Sequence, residues 1–330
     1  MTTSAVPDPE PIIRTACGFM AAKHLYAANE LGLFECLADG PADLDTLAAR
    51  TGLTPRAARI SADAMVALGL LDHDAQGYRN TPATQFYLAG KTPADLRPFL
   101  RFWDRLSYRT WEGLAQALSK GPSSQITELD EEDQRIASAG IQAITTGAAL
   151  ALAQGDELSG RDRLLDIGGG TGFWSMAVVG AQPQLSATVA ELPMVAAIAR
   201  ESVAAAGLAD RVAVVSVDAR TDPLPAGHDA CLLANVIHYF SPEENRALLT
   251  RVRDVVEHGA LLLVADFWTD PTHTQPLMAA LMAGEFAVNL HHGDVYSVDE
   301  ARAWLEATGW RFTGHRVLAG PLSVVTAEAA

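Results

Sequence analysis

The 330-residue sequence is poor in cysteine, in basic residues and in aromatic side chains, and each shortage excludes something. Its three cysteines, Cys17, Cys36 and Cys231, are odd in number and far apart, so no disulfide framework is implied and a reducing, cytoplasmic setting is expected. Lys and Arg total 24 against 40 Asp and Glu, a formal net charge of −16. A field of that sign repels phosphate backbones and anionic lipid heads, which argues against nucleic-acid and membrane partners. No basic segment followed by an apolar run opens the chain, so no signal peptide is read. The uninterrupted apolar stretches, such as that around 260–264, are far too short to span a bilayer. What is plentiful is core material: 49% of residues are hydrophobic and 19% charged. The length suits about two domains.

The first half has helical periodicity. Apolar residues recur at helical spacing over 12–37, and Gly40-Pro41 stops the pattern. A helix at 44–50, a turn at 51–55, a helix at 56–70 and a hairpin at 70–79 predict a winged helix. Its candidate recognition helix carries Arg56 and Arg59, but also Asp63 and a long apolar face, which favours a dimerisation or lid module over DNA reading. Residues 98–118 predict one helix rich in Phe99, Phe102, Trp103, Tyr108 and Trp111, with Arg101, Arg105 and Arg109 along one face. That basic face reads as solvated, with pairing of a substrate carboxylate as the alternative. The stretches 121–124 and 128–133 predict a solvated loop, and 136–152 a helix linking two domains.

Beyond 155 the pattern changes. Strands at 164–167, 187–191, 212–217, 230–234 and 261–266 alternate with helices at 173–179, 195–206 and 243–256. Alternation of this kind means a mostly parallel sheet with crossover helices. Segments 310–318 and 322–327 add a closing antiparallel hairpin, for seven strands in all. The expected fold is therefore α/β and Rossmann-like over 156–330. A helical, winged-helix-like dimerisation and pocket-lid domain precedes it over 1–155.

The run LLDIGGGTG at 164–172 joins a strand to a helix. Glycines at Gly168, Gly170 and Gly172 permit a tight turn and close backbone approach to a ligand. Such a loop also suits a dinucleotide pyrophosphate. Here, however, acidic residues stand at successive strand ends, Asp166, Glu191 and Asp218, and the loop holds no basic residue. That pattern suits a neutral or cationic nucleoside. Glu191 would accept both ribose hydroxyls and Asp218 an adenine amino group. Asp166 would lie near the cationic part of S-adenosylmethionine, directly or through water. Simple helix capping by Asp166 and Asp218 is the plainer alternative.

These segments, with ELP at 191–193, NVIH at 235–238 and PLSVVTAEA at 321–329, resemble class I S-adenosylmethionine-dependent methyltransferases of the caffeate-type and actinobacterial small-molecule branch. The resemblance covers nearly the whole chain. It implies a homodimer formed through the N-terminal region and a small-molecule acceptor of secondary metabolism. It also implies S-adenosylmethionine held at Gly168, Gly170, Glu191 and Asp218, and a catalytic general base at His238. Imidazole suits that task because its pKa near 6.5 lets it take a proton near neutral pH. The family commonly follows this histidine with Asp-Trp; Tyr239-Phe240 stands here.

The pattern departs again at NLHHGDVYS, 289–297, where His291 and His292 precede Gly293 in place of a Gly-rich stretch. The helix expected at 275–288 covers the acceptor pocket in the family. Imidazoles at His238, His291 and His292 suit one transition-metal ion completed by water or a bidentate substrate. A polar loop with an exposed histidine is the alternative. The pairing resembles a small subset of the family, C-methyltransferases acting on the β-carbon of 2-oxo acids, in which a metal holds the oxo-carboxylate and stabilises the enolate. The expected function is that C-methylation, with the three histidines as ligands and catalytic groups. O-methylation of a phenolic or hydroxylated natural product by His238 is one alternative. A non-methylating cofactor binder or DNA-binding regulator is another. Trp103, Tyr108, Met278, Met282 and Phe286 are candidate pocket walls, with core packing as an equal reading.

Overall fold

The computed structural model describes residues 7–122 and 129–330, in two compact units, Met1–Arg105 and Leu106–Ala330. The first unit opens with α1 (Glu10–Glu30), α2 (Leu33–Cys36), α3 (Leu44–Thr51) and α4 (Pro55–Ala67). One long helix over 12–37 does not form, because Gly32 takes φ 68° and restarts the chain as α2. The turn into α4 is set by Thr54, whose side chain accepts from the Ala57 N–H, and by Pro55 in the first turn. The wing is present as β1 (Leu71–Asp74) paired antiparallel with β2 (Gly77–Asn80). Gly77 is required there, since a Cβ would lie 2.2 Å from the Ala42 carbonyl oxygen. Leu33, Phe34, Leu37, Leu47, Met65 and Leu71 form the core. On α4, Arg59 is engaged by Asp63 at 2.9 Å, and Asp63 also accepts from the Tyr78 hydroxyl. Along α1, by contrast, Ile12, Ile13, Phe19 and Met20 are all more than half exposed.

After α5 (Pro82–Tyr87) and α6 (Arg97–Phe102), the single helix expected over 98–118 is broken by a π-helical turn at Trp103–Ser107. It resumes as α7 (Tyr108–Trp111) and α8 (Leu114–Lys120), so Arg101, Arg105 and Arg109 do not share one regular helix face. The second unit continues with α9 (Glu131–Ala153). Asp130 caps it by accepting from the Asp133 N–H, and Glu131, Glu132 and Asp133 oppose the positive end of its dipole. Residues 131–133 are thus helix, not loop; Ser123, Ser124 and Glu128 lie outside the described residues. Since α9 packs on α10 (Phe173–Ala181), it belongs to the second unit, and the divide falls after Arg105 rather than at 155. Among the described residues α9 is also the one helix long and apolar enough to cross a membrane by length and composition. Gln142, Thr145 and Thr146 interrupt its apolar run. Ala148, Ala149 and Leu152 on its buried face join the core of the unit.

The remaining elements are β3 (Arg163–Ile167), β4 (Ser186–Glu191), α11 (Pro193–Ala205), β5 (Val212–Ser216), β6 (His228–Ala234), α12 (Pro242–Asp254), β7 (Val256–Phe267), α13 (Leu277–Asn289), α14 (Val298–Ala307), β8 (Trp310–Ala319) and β9 (Leu322–Ala329). The sheet order is β5-β4-β3-β6-β7-β9-β8. The first five strands are parallel, and β9 pairs antiparallel with both β7 and β8. Helices cover both faces, so the central strands are mostly apolar, broken in β3 by Asp166: Leu164, Leu165, Ile167, Cys231, Leu232 and Leu233 are fully buried. Strand order reverses between β3 and β6. Ligands of such sheets sit outside the carboxyl ends of the strands at that switch point.

Candidate active site

A cavity of about 740 Å³ opens at that switch point, within the range typical of small-molecule sites. The loop 168–172 forms its floor. Gly168, Gly170 and Gly172 all have positive φ, a backbone conformation that favours glycine. A Cβ on Gly168 would lie 2.8 Å from Val236, while Gly170 faces open space. The intervening Gly169 is equally constrained, since a Cβ there would meet the Asp166 carboxyl at 2.7 Å.

Asp166 sits behind this loop and is fully buried, not at the cavity wall. Its Oδ2 accepts from the Ser175 hydroxyl at 2.7 Å, and Oδ1 has no partner among the described residues. Burial pushes its carboxyl up to about 6. Glu191, at the end of β4, does line the cavity. It accepts from the Gly170 N–H at 3.2 Å and from the Leu192 N–H. Each carboxylate oxygen keeps a lone pair for a further donor. Burial pushes Glu191 up to about 7, against the pull of those two N–H groups. Asp218 also lines the cavity, with its carboxylate already gripped by Arg220 Nη2 at 2.8 Å and Nε at 3.1 Å. That hydrogen-bonded pairing holds Asp218 below the usual carboxylate range.

Two parts of the wall were not legible as site residues. One is Asn235 at the end of β6, held at φ 58° with its buried Oδ1 unpartnered. The other is α9, which lines the cavity with Gln134, Ser138, Gln142 and Thr145. The Thr171 hydroxyl of the glycine loop donates to Gln142 Oε1 at 2.7 Å, tying loop to helix. The signal was the spacing itself, polar residues three and four apart in an apolar helix. Taken together, an open glycine cradle, a carboxylate with spare acceptor capacity and an orphaned amide oxygen fit a hydroxyl-bearing nucleoside such as S-adenosylmethionine.

His238 lies in a short 3₁₀ turn, Ile237–Tyr239, and is 5% exposed. Its Nδ1 donates to Asp266 Oδ1 at 2.7 Å. The same oxygen accepts from the Phe267 N–H at 2.8 Å, while Oδ2 has no partner among the described residues. A carboxylate facing Nδ1 selects the neutral tautomer with its proton on Nδ1 and its lone pair on Nε2. Sequence reasoning missed Asp266, though it ends β7 as Glu191 ends β4. The His238 ring stacks on Phe286 at 4.0 Å and 10°, and on Tyr239 at 4.7 Å and 28°. Phe286 thus packs on the His238 ring and belongs to the core of the unit, outside the residues that line the cavity.

The other candidate walls are placed differently. Met282 packs against the core of the unit, and Met278 is half-exposed on the first turn of α13. Tyr108 opens α7. Trp103 belongs to the N-terminal unit, packed edge-on against Phe99 and Phe102. The sequence also missed Glu285, a buried carboxylate that accepts from Ser107 Oγ at 2.6 Å, from Asn289 Nδ2 at 2.8 Å and from the Trp111 indole N–H.

The expected metal site is corrected. His291 and His292 line the cavity, but His292 Nδ1 is exposed and pairs with Glu244 Oε2 at 3.2 Å. His238 commits Nδ1 to Asp266. Among the described residues no group of three or more His, Cys, Asp or Glu side chains converges as a metal would need. The loop turns close instead: a Cβ on Gly293 would lie 2.6 Å from the His238 carbonyl oxygen, which accepts from the Asp294 N–H at 3.1 Å.

Comparison with known proteins agrees with this geometry. An O-methyltransferase domain profile matches residues 116–311, and an O-methyltransferase dimerisation domain profile matches 13–90. The chain is 34% identical over 308 residues to a 3-hydroxy-5-methyl-1-naphthoate 3-O-methyltransferase of Streptomyces sahachiroi, covering 91% of this chain and 89% of that one. It is 32% identical over 331 residues to an N,N-dimethyltransferase of Streptomyces rimosus, covering 94% of each. Human N-acetylserotonin methyltransferase, solved in complex with S-adenosylmethionine, superposes with a TM-score of 0.88 at 25% identity over the whole of both chains.

Proposed function

The chain belongs to the O-methyltransferase family and is an S-adenosylmethionine-dependent methyltransferase of small molecules, and on that footing we propose that it O-methylates a phenolic or hydroxylated natural product with His238 as general base. The observation that carries this reading is the His238–Asp266 pair, which engages Nδ1 of a buried imidazole and leaves Nε2 as the nitrogen free to take a proton. Bound in the cavity, S-adenosylmethionine supplies an electrophilic methyl group on a sulfonium. Glu191 accepts from the ribose hydroxyls, and the turn at Gly168 and Gly170 lets the backbone approach the ligand. Gln142 holds the loop through Thr171. Asp266 fixes the imidazole tautomer and stabilises the imidazolium formed when Nε2 takes the acceptor proton. Asp166 acts from behind, shaping the loop through Ser175 and the space left by Gly169. Asp218 borders the adenine end with its carboxylate oriented by Arg220.

A phenol needs no metal to become nucleophilic once a base is in place, whereas the C–H beside a ketone does need an enolate stabiliser. The separate pairing of His238 and His292 therefore supports O-methylation over C-methylation of a 2-oxo acid. We place the protein in the cytoplasm as a homodimer, consistent with three unpaired cysteines and the dimerisation domain. Incubation with labelled S-adenosylmethionine and a panel of phenols and 2-oxo acids, with products identified by mass, tests the reading. Label on oxygen supports it, and label on the β-carbon of a 2-oxo acid overturns it.

A further inference from the structure

Tyr239 follows the candidate base His238 directly in the chain. Its ring stacks on His238 and it lines the same cavity as Glu191, so it occupies the junction between cofactor and base. No hydrogen bond among the described residues involves its hydroxyl. The surroundings are otherwise negative: burial together with Glu191, Asp266 and Glu285 pushes the phenol up to about 12, so it stays a neutral O–H at any working pH. Among the described residues along the cavity wall the one Arg or Lys is Arg220, and Asp218 holds it. Beyond the sulfonium and the His238 imidazolium, an acceptor oxygen that loses its proton here meets no unpaired Arg or Lys among the described residues lining the cavity.

We propose that the Tyr239 hydroxyl is a catalytic hydrogen-bond donor to the acceptor oxygen, stabilising the charge that develops there as His238 removes the proton. The inference rests on the O-methylation reading. The acceptor O–H bond breaks and its proton passes to His238 Nε2. The oxygen electron pair forms the new O–C bond as the C–S bond breaks, and that pair stays on sulfur. Donors aimed at developing charge in a water-poor site contribute more than they would in water. Tyr239 does this without adding a charge that would bind the neighbouring carboxylates instead.

The test compares wild type, Tyr239→Phe and Tyr239→His on phenols of graded acidity. Tyr239→Phe keeps the ring and loses only the hydroxyl. A lost hydrogen bond to a charged oxygen corresponds to roughly 10- to 100-fold, so kcat/KM should fall by that factor for phenols of pKa near 10. It should change less than about threefold for phenols already ionised at the assay pH, which also shows that the variant is folded. S-adenosylhomocysteine affinity should be unchanged. Tyr239→His restores a ring with an N–H donor and should recover at least part of the loss. Activity of Tyr239→Phe within twofold of wild type on every acceptor overturns the proposal. So does a uniform loss that tracks weakened S-adenosylhomocysteine binding, which would make Tyr239 a cofactor contact. If wild type labels a carbon acceptor instead, the O-methylation reading fails alone. The same Tyr239→Phe ratio measured on that acceptor, whose enolate oxygen carries the charge, then decides the role of Tyr239.

Discussion

His238 Nδ1 and Asp266 Oδ1 lie 2.7 Å apart, and through that one bond a strand end 28 residues downstream decides which nitrogen of the imidazole is basic. Asp266→Asn retains the shape but can present an NH₂ to Nδ1, which moves the imidazole proton to Nε2. Turnover should fall by roughly 10²-fold or more, and His238→Ala should fall within the 10²–10⁴ range of a lost general base. S-adenosylhomocysteine binding, followed by titration calorimetry, should be unaffected in both.

Glu191 gives the second prediction. Its carboxyl stands at about 7 in the free protein because burial disfavours the charge. Ribose hydroxyls donate to the ionised form and so draw the pKa down on binding. Binding then releases a proton, and affinity for S-adenosylhomocysteine should rise as pH increases through about 7 and level off above it. Calorimetry in two buffers of different ionisation heat reads the proton directly. Glu191→Ala should weaken binding roughly 10- to 100-fold and flatten this pH dependence.

The fold was largely legible because periodicity and turn chemistry agree locally in this chain. The strands at 164–167, 187–191 and 230–234 declare themselves as apolar runs, since their sheet is covered on both faces. Glu191 was legible for the same reason, as the charge that ends such a run. Asp266 ends one too, but its partner His238 is 28 residues away, and no local pattern joins them. Glu285 was hidden more deeply. It sits in an apolar helix and is satisfied by Ser107, Trp111 and Asn289, two of them more than 170 residues distant in sequence. The histidine loop misled because adjacency in sequence says nothing of where Nδ1 points. In the fold one imidazole is paired with Glu244 and another with Asp266.

A third prediction follows from those separate pairings. Protein treated with a strong chelator and desalted should retain its turnover toward a phenol. A His291→Ala/His292→Ala double variant should keep measurable activity where His238→Ala does not. Loss of phenol methylation on chelation, restored by one divalent ion, would contradict the donor geometry.

The fourth concerns assembly. Ile12, Ile13, Phe19 and Met20 expose more apolar surface along α1 than a solitary helix sustains in water. Light scattering at micromolar concentration should return twice the 35.0 kDa chain mass. Ile12→Glu with Phe19→Glu should shift the protein towards the single-chain mass.

Helix α9 has one more consequence, and it bears on synthesis. It is apolar enough to pass for a membrane span, yet the elements that cover it include α10, α11 and the last two strands, β8 and β9. The first residue of β8, Trp310, is translated long after Ala153. At ribosomal rates of about 5–20 residues per second, this gap of roughly 160 residues leaves the helix without its strand partners for on the order of 10 s. During that interval a greasy nascent segment is open to chaperones, to neighbouring chains on the same message and to any machinery that sorts proteins by hydrophobicity. Chains that stop short of β8 never bury it fully, so premature termination late in the message should yield aggregates rather than a smaller folded enzyme.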